Sequence, residues 1–302
     1  MTARAAEDPR LAALVVESCD FYARRVAGRG PNGPVELERV RSASTPPPVS
    51  HPAPAVEVLD GVPVRIHAPV ARATGVLLEL HGGGFFLGSA AASDVRNREL
   101  VDALGVAVVS VDHRLAPEDP WPAAPDDCET VARWLVRNAA DRFGTERFLL
   151  TGFSAGSTLA VVTMVRLRDR GFDHIGGAVL QFGTYDLSGS TPAGRLIADE
   201  YFLDAYAGSL ADRTHPDFSP VFADLRGLPS VLLVVGADDV LLEDNLAMAE
   251  RFSAAGVDVD LRVYPASPHG FTGHPTSMAR AALADVEDWL QDRLEPTADP
   301  FR

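Results

Sequence analysis

The chain has 302 residues, 46% of them hydrophobic, and a formal charge of −15 from 27 basic and 42 acidic residues. That apolar content suffices for a large core, and the length suits one α/β domain. Every basic residue is arginine, and the acidic balance argues against nucleic acid and anionic membranes as partners.

Taken in chain order, Asp8-Pro9 reads as a helix start, with a capping acid before a proline in the first turn. The helix is predicted to run to about Val26 and to stop at Gly28-Arg29-Gly30-Pro31, with Leu11, Leu14, Val15, Phe21 and Tyr22 as its buried stripe. Residues 42–54, rich in Pro and Ser, read as a loop. Strands at 55–59 and 62–67 flank Asp60-Gly61, a hairpin signal. Continuous apolar strands are then predicted at 75–80, 106–111, 148–151, 177–181, 230–235 and 257–264. Helices are predicted between and after them, at 94–104, 124–139, 154–168, 243–255 and 275–294. Uninterrupted apolar strands separated by helices imply a mostly parallel central sheet flanked by helices, with the hairpin as an antiparallel edge. Residues 186–228 leave this rhythm. An insertion of that length suits a helical cap, formed with about residues 1–45, over the C-terminal ends of the strands. The whole of 1–302 reads as a single domain.

Two cysteines, Cys19 and Cys128, form no C-x-x-C pair and read as free thiols of a reducing compartment. Residues 11–16 are too short an apolar run for a signal peptide, and no segment reaches the length of a membrane span. A cytoplasmic protein without membrane insertion is the expectation.

Gly152-Phe153-Ser154-Ala155-Gly156 sits between a predicted strand and a predicted helix. That is the context in which G-x-S-x-G places a nucleophilic serine on a sharp bend. Acyl transfer to a serine also needs a base, an acid that orients it, and donors for the oxyanion. His269, in a Pro/Gly-rich loop after the last predicted strand, is the base candidate, with His274 as its rival. The acid lies in Gly236-Ala237-Asp238-Asp239, where Asp238 and Asp239 compete. Glu243 and Asp244 read as first-turn acids of the next helix. Gly82, Gly83 and Gly84, directly after a buried strand, leave the backbone bare enough to aim amides at a substrate oxygen, with the Ala155 amide completing the set. His81 reads as a structural residue of that loop. No H-E-x-x-H or paired-cysteine pattern calls for a metal, and no cofactor motif is present.

With these residues in hand, the chain resembles the hormone-sensitive-lipase family of α/β-hydrolases, the group of many bacterial carboxylesterases and arylacetamide deacetylases. The resemblance spans nearly the whole chain. It rests on His81-Gly82-Gly83-Gly84-Phe85 with Gly88-Ser89, and on Val111-Asp112-His113-Arg114-Leu115-Ala116-Pro117-Glu118. Trp121-Pro122-Ala123-Ala124, Ser219-Pro220, Asp239-Val240-Leu241 and His269-Gly270-Phe271 continue the match. It favours Asp239 over Asp238 as the acid, so that Ser154, Asp239 and His269 form the triad. It implies oxyanion donation from Gly83, Gly84 and Ala155, with Gly82 supporting the loop. Two positions depart from the family pattern: Phe153 where an acid is common, and His113 where tyrosine is usual.

The implied activity is hydrolysis of short- to medium-chain carboxylic esters, with a small-molecule ester as the partner and a homodimer as an arrangement the family allows. Amide, lactone or acyl-transfer chemistry on the same triad, and elimination, are the alternatives within enzymes. A membrane-surface lipase is disfavoured by the absence of a basic amphipathic helix. A ligand receptor on a dead hydrolase scaffold is disfavoured by the complete triad. Phe85, Phe86, Phe153, Tyr185, Phe202 and Tyr206 are the aromatic candidates for a substrate pocket.

Overall fold

A computed structural model describes residues 2–4, 8–25, 30–172 and 175–295. In chain order the elements are β1 (Thr2–Arg4), α1 (Pro9–Ala12), α2 (Val15–Tyr22), α3 (Pro34–Ala43), β2 (Ala55–Leu59), β3 (Val62–His67), β4 (Val76–Leu80) and α4 (Asp94–Leu104). There follow β5 (Ala107–Val111), α5 (Ala123–Phe143), β6 (Phe148–Phe153), α6 (Ala155–Asp169), β7 (Ile175–Gln181) and α7 (Tyr201–Ala207). The last are β8 (Val231–Gly236), α8 (Leu242–Ala254), β9 (Val259–Tyr264) and α9 (Ser277–Leu294).

Among the described residues these strands form one nine-stranded sheet in the order β1-β9-β8-β7-β6-β4-β5-β3-β2. Neighbours from β1 to β5 along that order run parallel. The β2–β3 hairpin adds antiparallel to β5 and makes the expected edge. Its turn holds Asp60 at φ 46 and Gly61 at φ 92, the two positive-φ positions that a tight hairpin needs. β4, β5 and β8 are buried at every residue, because helices cover both faces of the sheet. α4 and α9 pack together on one face, while α5 and α6 pack together against the other.

The N-terminal region differs from its predicted form. A single helix from Pro9 was expected; a turn at Ala13-Leu14 divides it into α1 and α2. Leu11 and Ser18 are buried and the rest of the proposed stripe is half-buried. The predicted breaker begins outside the described residues. α3 was not anticipated: Leu37 is its one buried residue, and Val35, Leu37 and Val40 are too few apolar positions to show a periodic stripe. Residues 186–228 contain no strand among the described residues, only α7 and helical turns. Tyr206 of α7 stacks on Phe85 with ring centroids 3.8 Å apart, and the Trp121 indole N–H donates to Asp217 Oδ2 at 3.2 Å. No helix among the described residues is long and apolar enough to cross a membrane.

One buried carboxyl ties the centre of the sheet to α4. Glu79 of β4 is fully buried. Ser110 Oγ of β5 donates to Glu79 Oε2 at 2.6 Å, and Ser93 Oγ, just before α4, donates to Oε1 at 2.9 Å. Asn97 Nδ2 donates in turn to Ser110 Oγ at 2.7 Å. Burial lifts the Glu79 carboxyl to about 7, against its hydroxyl donors. The folded protein thus keeps a proton that the unfolded chain releases near 4.5. This contribution to stability is complete below that lower value and is lost as the pH rises through the upper one. Glu79→Gln, a permanent analogue of the neutral acid, is expected to gain about 3 kcal/mol relative to wild type across that window. Urea unfolding below and above it measures the change; a constant difference between the two proteins contradicts the assignment.

Candidate active site

The chain turns from β6 into α6 within a single residue. Ser154 takes φ 51 and ψ −118, a strained region for a residue with a side chain. The surroundings over-determine it: Ser154 N–H donates to Gln181 O, and Ser154 O accepts from Ser157 N–H, both at 2.9 Å. Ser157 Oγ sits 2.8 Å from Gly152 O and 3.0 Å from Gln181 O, locking the base of the turn. A methyl group at Gly152 would overlap the Gly156 carbonyl, and one at Gly156 would overlap the Leu80 carbonyl. Both flanking glycines are therefore set by close backbone approach.

His269 and Asp239 lie at the ends of neighbouring strands. His269 Nε2 is 3.0 Å from Ser154 Oγ. His269 Nδ1 is 3.0 Å and 3.1 Å from the two Asp239 oxygens. A carboxylate only accepts, so Nδ1 carries the hydrogen and Nε2 presents its lone pair to the serine hydroxyl. Asp239 is buried, and its Oδ1 also accepts from Leu241 N–H at 2.8 Å. The imidazole remains 38% exposed. Phe182 sets its ring against the imidazole in a T-shaped contact at 5.1 Å.

The competing candidates go elsewhere. Asp238 is exposed. His274 is 2.9 Å from the Tyr22 hydroxyl, anchoring α2. Glu243 and Asp244 are both first-turn acids of α8, as expected; Glu243 is exposed and Asp244 is not. It is buried, and its Oδ2 accepts from Tyr185 N–H at 2.6 Å and Asp186 N–H at 3.3 Å. Burial raises its carboxyl to about 6. Its work is to hold the chain leaving β7.

The glycine loop follows β4. Gly83 and Gly84 take φ 120 and φ 59, and Phe85 takes φ 63. Gly82 is confined by Phe153 O, which a Cβ would meet at 2.6 Å. Gly83 O accepts from Leu87 N–H at 2.8 Å, closing the loop on itself. Phe85 O accepts from Ala116 N–H at 2.9 Å. Arg41 of α3 donates from Nη2 to Phe86 O at 2.8 Å and to Ala116 O at 2.7 Å. Ala155 is the first residue of α6, where backbone N–H groups lack intrahelical acceptors. The helix N-terminus also favours developing negative charge there.

A cavity of about 660 Å³ opens over these groups. Its wall includes Gly82, Gly83, Gly84, Ser154 and His269. Of the aromatic candidates for a substrate pocket, Phe153 lines this cavity, and Phe85, Phe86, Tyr185, Phe202 and Tyr206 do not. Phe85 and Tyr206 are buried against each other, Phe86 packs against Phe202, and Tyr185 is fully buried. The cavity takes Phe182 instead, with Arg96 and Glu99 of α4 and Leu283 of α9. Phe182 was missed, although a signal existed. Like the glycine loop, Ser154, Asp239 and His269, it follows the C-terminal end of a parallel strand, where such sheets place their sites. A larger hollow of about 850 Å³ lies near Arg72, Arg147 and Arg293, apart from all of these residues.

Known proteins share this arrangement of chain. Residues 77–273 match the family described as alpha/beta hydrolase fold. The carboxylesterase NlhH of Mycobacterium tuberculosis is 32% identical over 272 residues, covering 83% of this chain and 85% of that protein. An ethyl acetate hydrolase of Pseudomonas putida is 32% identical over 254 residues, covering 77% of this chain and 79% of its own. The crystal structure of a hormone-sensitive lipase from a metagenome library superposes with a TM-score of 0.75 at 29% identity, covering 97% of this chain and 100% of that one. Matched length and relatives agree, and the chain belongs to the hormone-sensitive-lipase family of α/β-hydrolases.

Proposed function

We propose that this protein hydrolyses short- to medium-chain carboxylic esters through an acyl-enzyme on Ser154. The observation that carries the reading is the 3.0 Å approach of His269 Nε2 to Ser154 Oγ, with Asp239 behind the ring. His269 takes the hydroxyl proton as Ser154 attacks the ester carbonyl. Asp239 holds the ring tautomer and stabilises the imidazolium that forms. The amides of Gly83, Gly84 and Ala155 receive the oxyanion, and Gly82 leaves room for the loop to approach. His269 then protonates the departing alcohol, and in the second half it activates water to release the acid. The similarity to a carboxylesterase and an ethyl acetate hydrolase supports ester over amide or lactone.

Within this reading the whole chain is one domain, and about residues 1–45 with 186–228 form its cap. Arg41 on Phe86 O, and Tyr206 stacked on Phe85, support that assignment. The two free cysteines, Cys19 exposed and Cys128 buried, support a reducing, cytoplasmic setting.

Ser154→Ala is expected to lower kcat on p-nitrophenyl butyrate by roughly 100,000-fold with an unchanged melting temperature. Asp239→Asn is expected to lower it by roughly 10,000-fold, because the amide favours the wrong imidazole tautomer. A fluorophosphonate probe should label wild type at Ser154 and spare the alanine variant. Esterase activity that survives Ser154→Ala contradicts the nucleophile. A second experiment tests the substrate class. Across a series of acyl esters with matched amides and lactones, kcat/KM should be highest for the short and medium esters; a preference for amides or lactones overturns it.

A further inference from the structure

The three glycines that bare the backbone for an oxyanion also make the loop easy to misorient. A peptide plane between two glycines rotates at little steric cost. Rotation of the Gly82–Gly83 peptide would turn a carbonyl oxygen toward the developing negative charge, so something must hold this plane.

His81 does so from below. Its Nδ1 is 2.8 Å from Gly82 O. A carbonyl only accepts, so Nδ1 carries the hydrogen and donates. In a trans peptide the C=O and the following N–H point in opposite directions. Gripping Gly82 O therefore fixes the direction of Gly83 N–H. The opposite ring tautomer would set a nitrogen lone pair against the oxygen and release the plane. The loop doubles back over this bond: a Cβ at Gly88 would come 2.8 Å from His81 Nδ1.

His81 is in turn held by His113. Leu80 pairs with Val111 across β4 and β5, which brings the residues beyond those strand ends together. The two rings stack with centroids 4.1 Å apart and 9° between planes. Both residues are buried, and Nε2 of each has no partner among the described residues. His113 Nδ1 is 3.2 Å from Arg114 O, which fixes that ring also as the Nδ1–H form. Burial pushes His81 down to about 3 and lowers His113 as well. The stack is therefore a pair of neutral rings, held at Nδ1 by the Gly82 and Arg114 carbonyls, and the His81 backbone also faces the His113 ring.

We propose that His113 is a positioning residue. Its flat face holds the His81 ring so that Nδ1–H stays on the Gly82 carbonyl, and through that peptide it aims Gly83 N–H at the oxyanion. The proposal rests on Gly83 as an oxyanion donor in the reading above.

The test uses three variants of the full chain on p-nitrophenyl butyrate. His113→Ala removes the stack, His113→Leu fills the space without a flat face, and His113→Phe restores a flat ring without the bond to Arg114. The alanine and leucine variants should lose about 10- to 100-fold in kcat with little change in KM. Affinity for a trifluoromethyl ketone, which mimics the tetrahedral intermediate, should fall by the same factor. His113→Phe should recover most of both. A folded leucine or alanine variant with wild-type kcat and ketone affinity overturns the proposal, as does a phenylalanine variant as impaired as alanine. The leucine variant decides the case should alanine fail to fold. Ser154→Ala is assayed alongside. If it stays active, the hydrolase reading has failed; if it is inactive while His113 variants are normal, only this inference has failed.

Discussion

The site depends on one backbone constraint: the chain must pass from β6 into α6 through a positive φ at a residue that carries a side chain. Ser154 adopts that conformation only because its neighbours leave it no other. Gly152 and Gly156 let the helix start press onto β4 and β6, and Ser157 ties the turn to the Gly152 and Gln181 carbonyls. Strain of this kind is destabilising by about 1–3 kcal/mol and persists only in a well-packed setting. The core supplies that setting, since every residue of β4 and β8 and all of β6 before Phe153 is buried.

From that constraint the other parts follow by sheet order. β4 lies beside β6, so the glycine loop emerges next to the bend. β8 and β9 lie beyond β7 on the other side of β6, and their C-terminal loops bring Asp239 and His269 back over it. Three residues distant in sequence meet because parallel strands end at one edge of the sheet. In the proposed mechanism the buried carboxylate, the half-open imidazole and the bare amides divide the work of moving a proton and receiving charge. Beneath them the His81–His113 pair supplies stiffness that glycines cannot supply for themselves.

Much of this was legible in the residues. The hairpin strands at 55–59 and 62–67 and the helix at 94–104 stand where periodicity and turn chemistry put them. Most other strands differ from their predicted ends by a residue or two, because a continuous apolar run does not mark where pairing stops. The break between α1 and α2 was not legible, and α3 was not either, since Val35, Leu37 and Val40 are too few to show a periodic face. The residues brought together at Ser154 were readable from chain order and local motif, because that chemistry demands particular side chains at strand ends. The aromatic pocket was not. An aromatic residue in a loop has no signature of which side it faces, so Phe85 and Tyr206 turned into the core while Phe182 took a wall of the cavity. Asp244 stands in the first turn of α8 as expected, but its burial was not legible: a first-turn acid looks the same in sequence whether it meets solvent or caps a buried loop.

The most direct test of the account is to catch the covalent intermediate. The protein is mixed with p-nitrophenyl butyrate, quenched in acid within one turnover, digested and weighed by mass spectrometry. The account predicts one butyryl group on the peptide that carries Ser154, appearing with the first burst of nitrophenol and disappearing as substrate is exhausted. A burst with the butyryl group on a different residue, or steady turnover by wild type in which butyrate is released while Ser154 is never acylated even when deacylation is slowed, would contradict it.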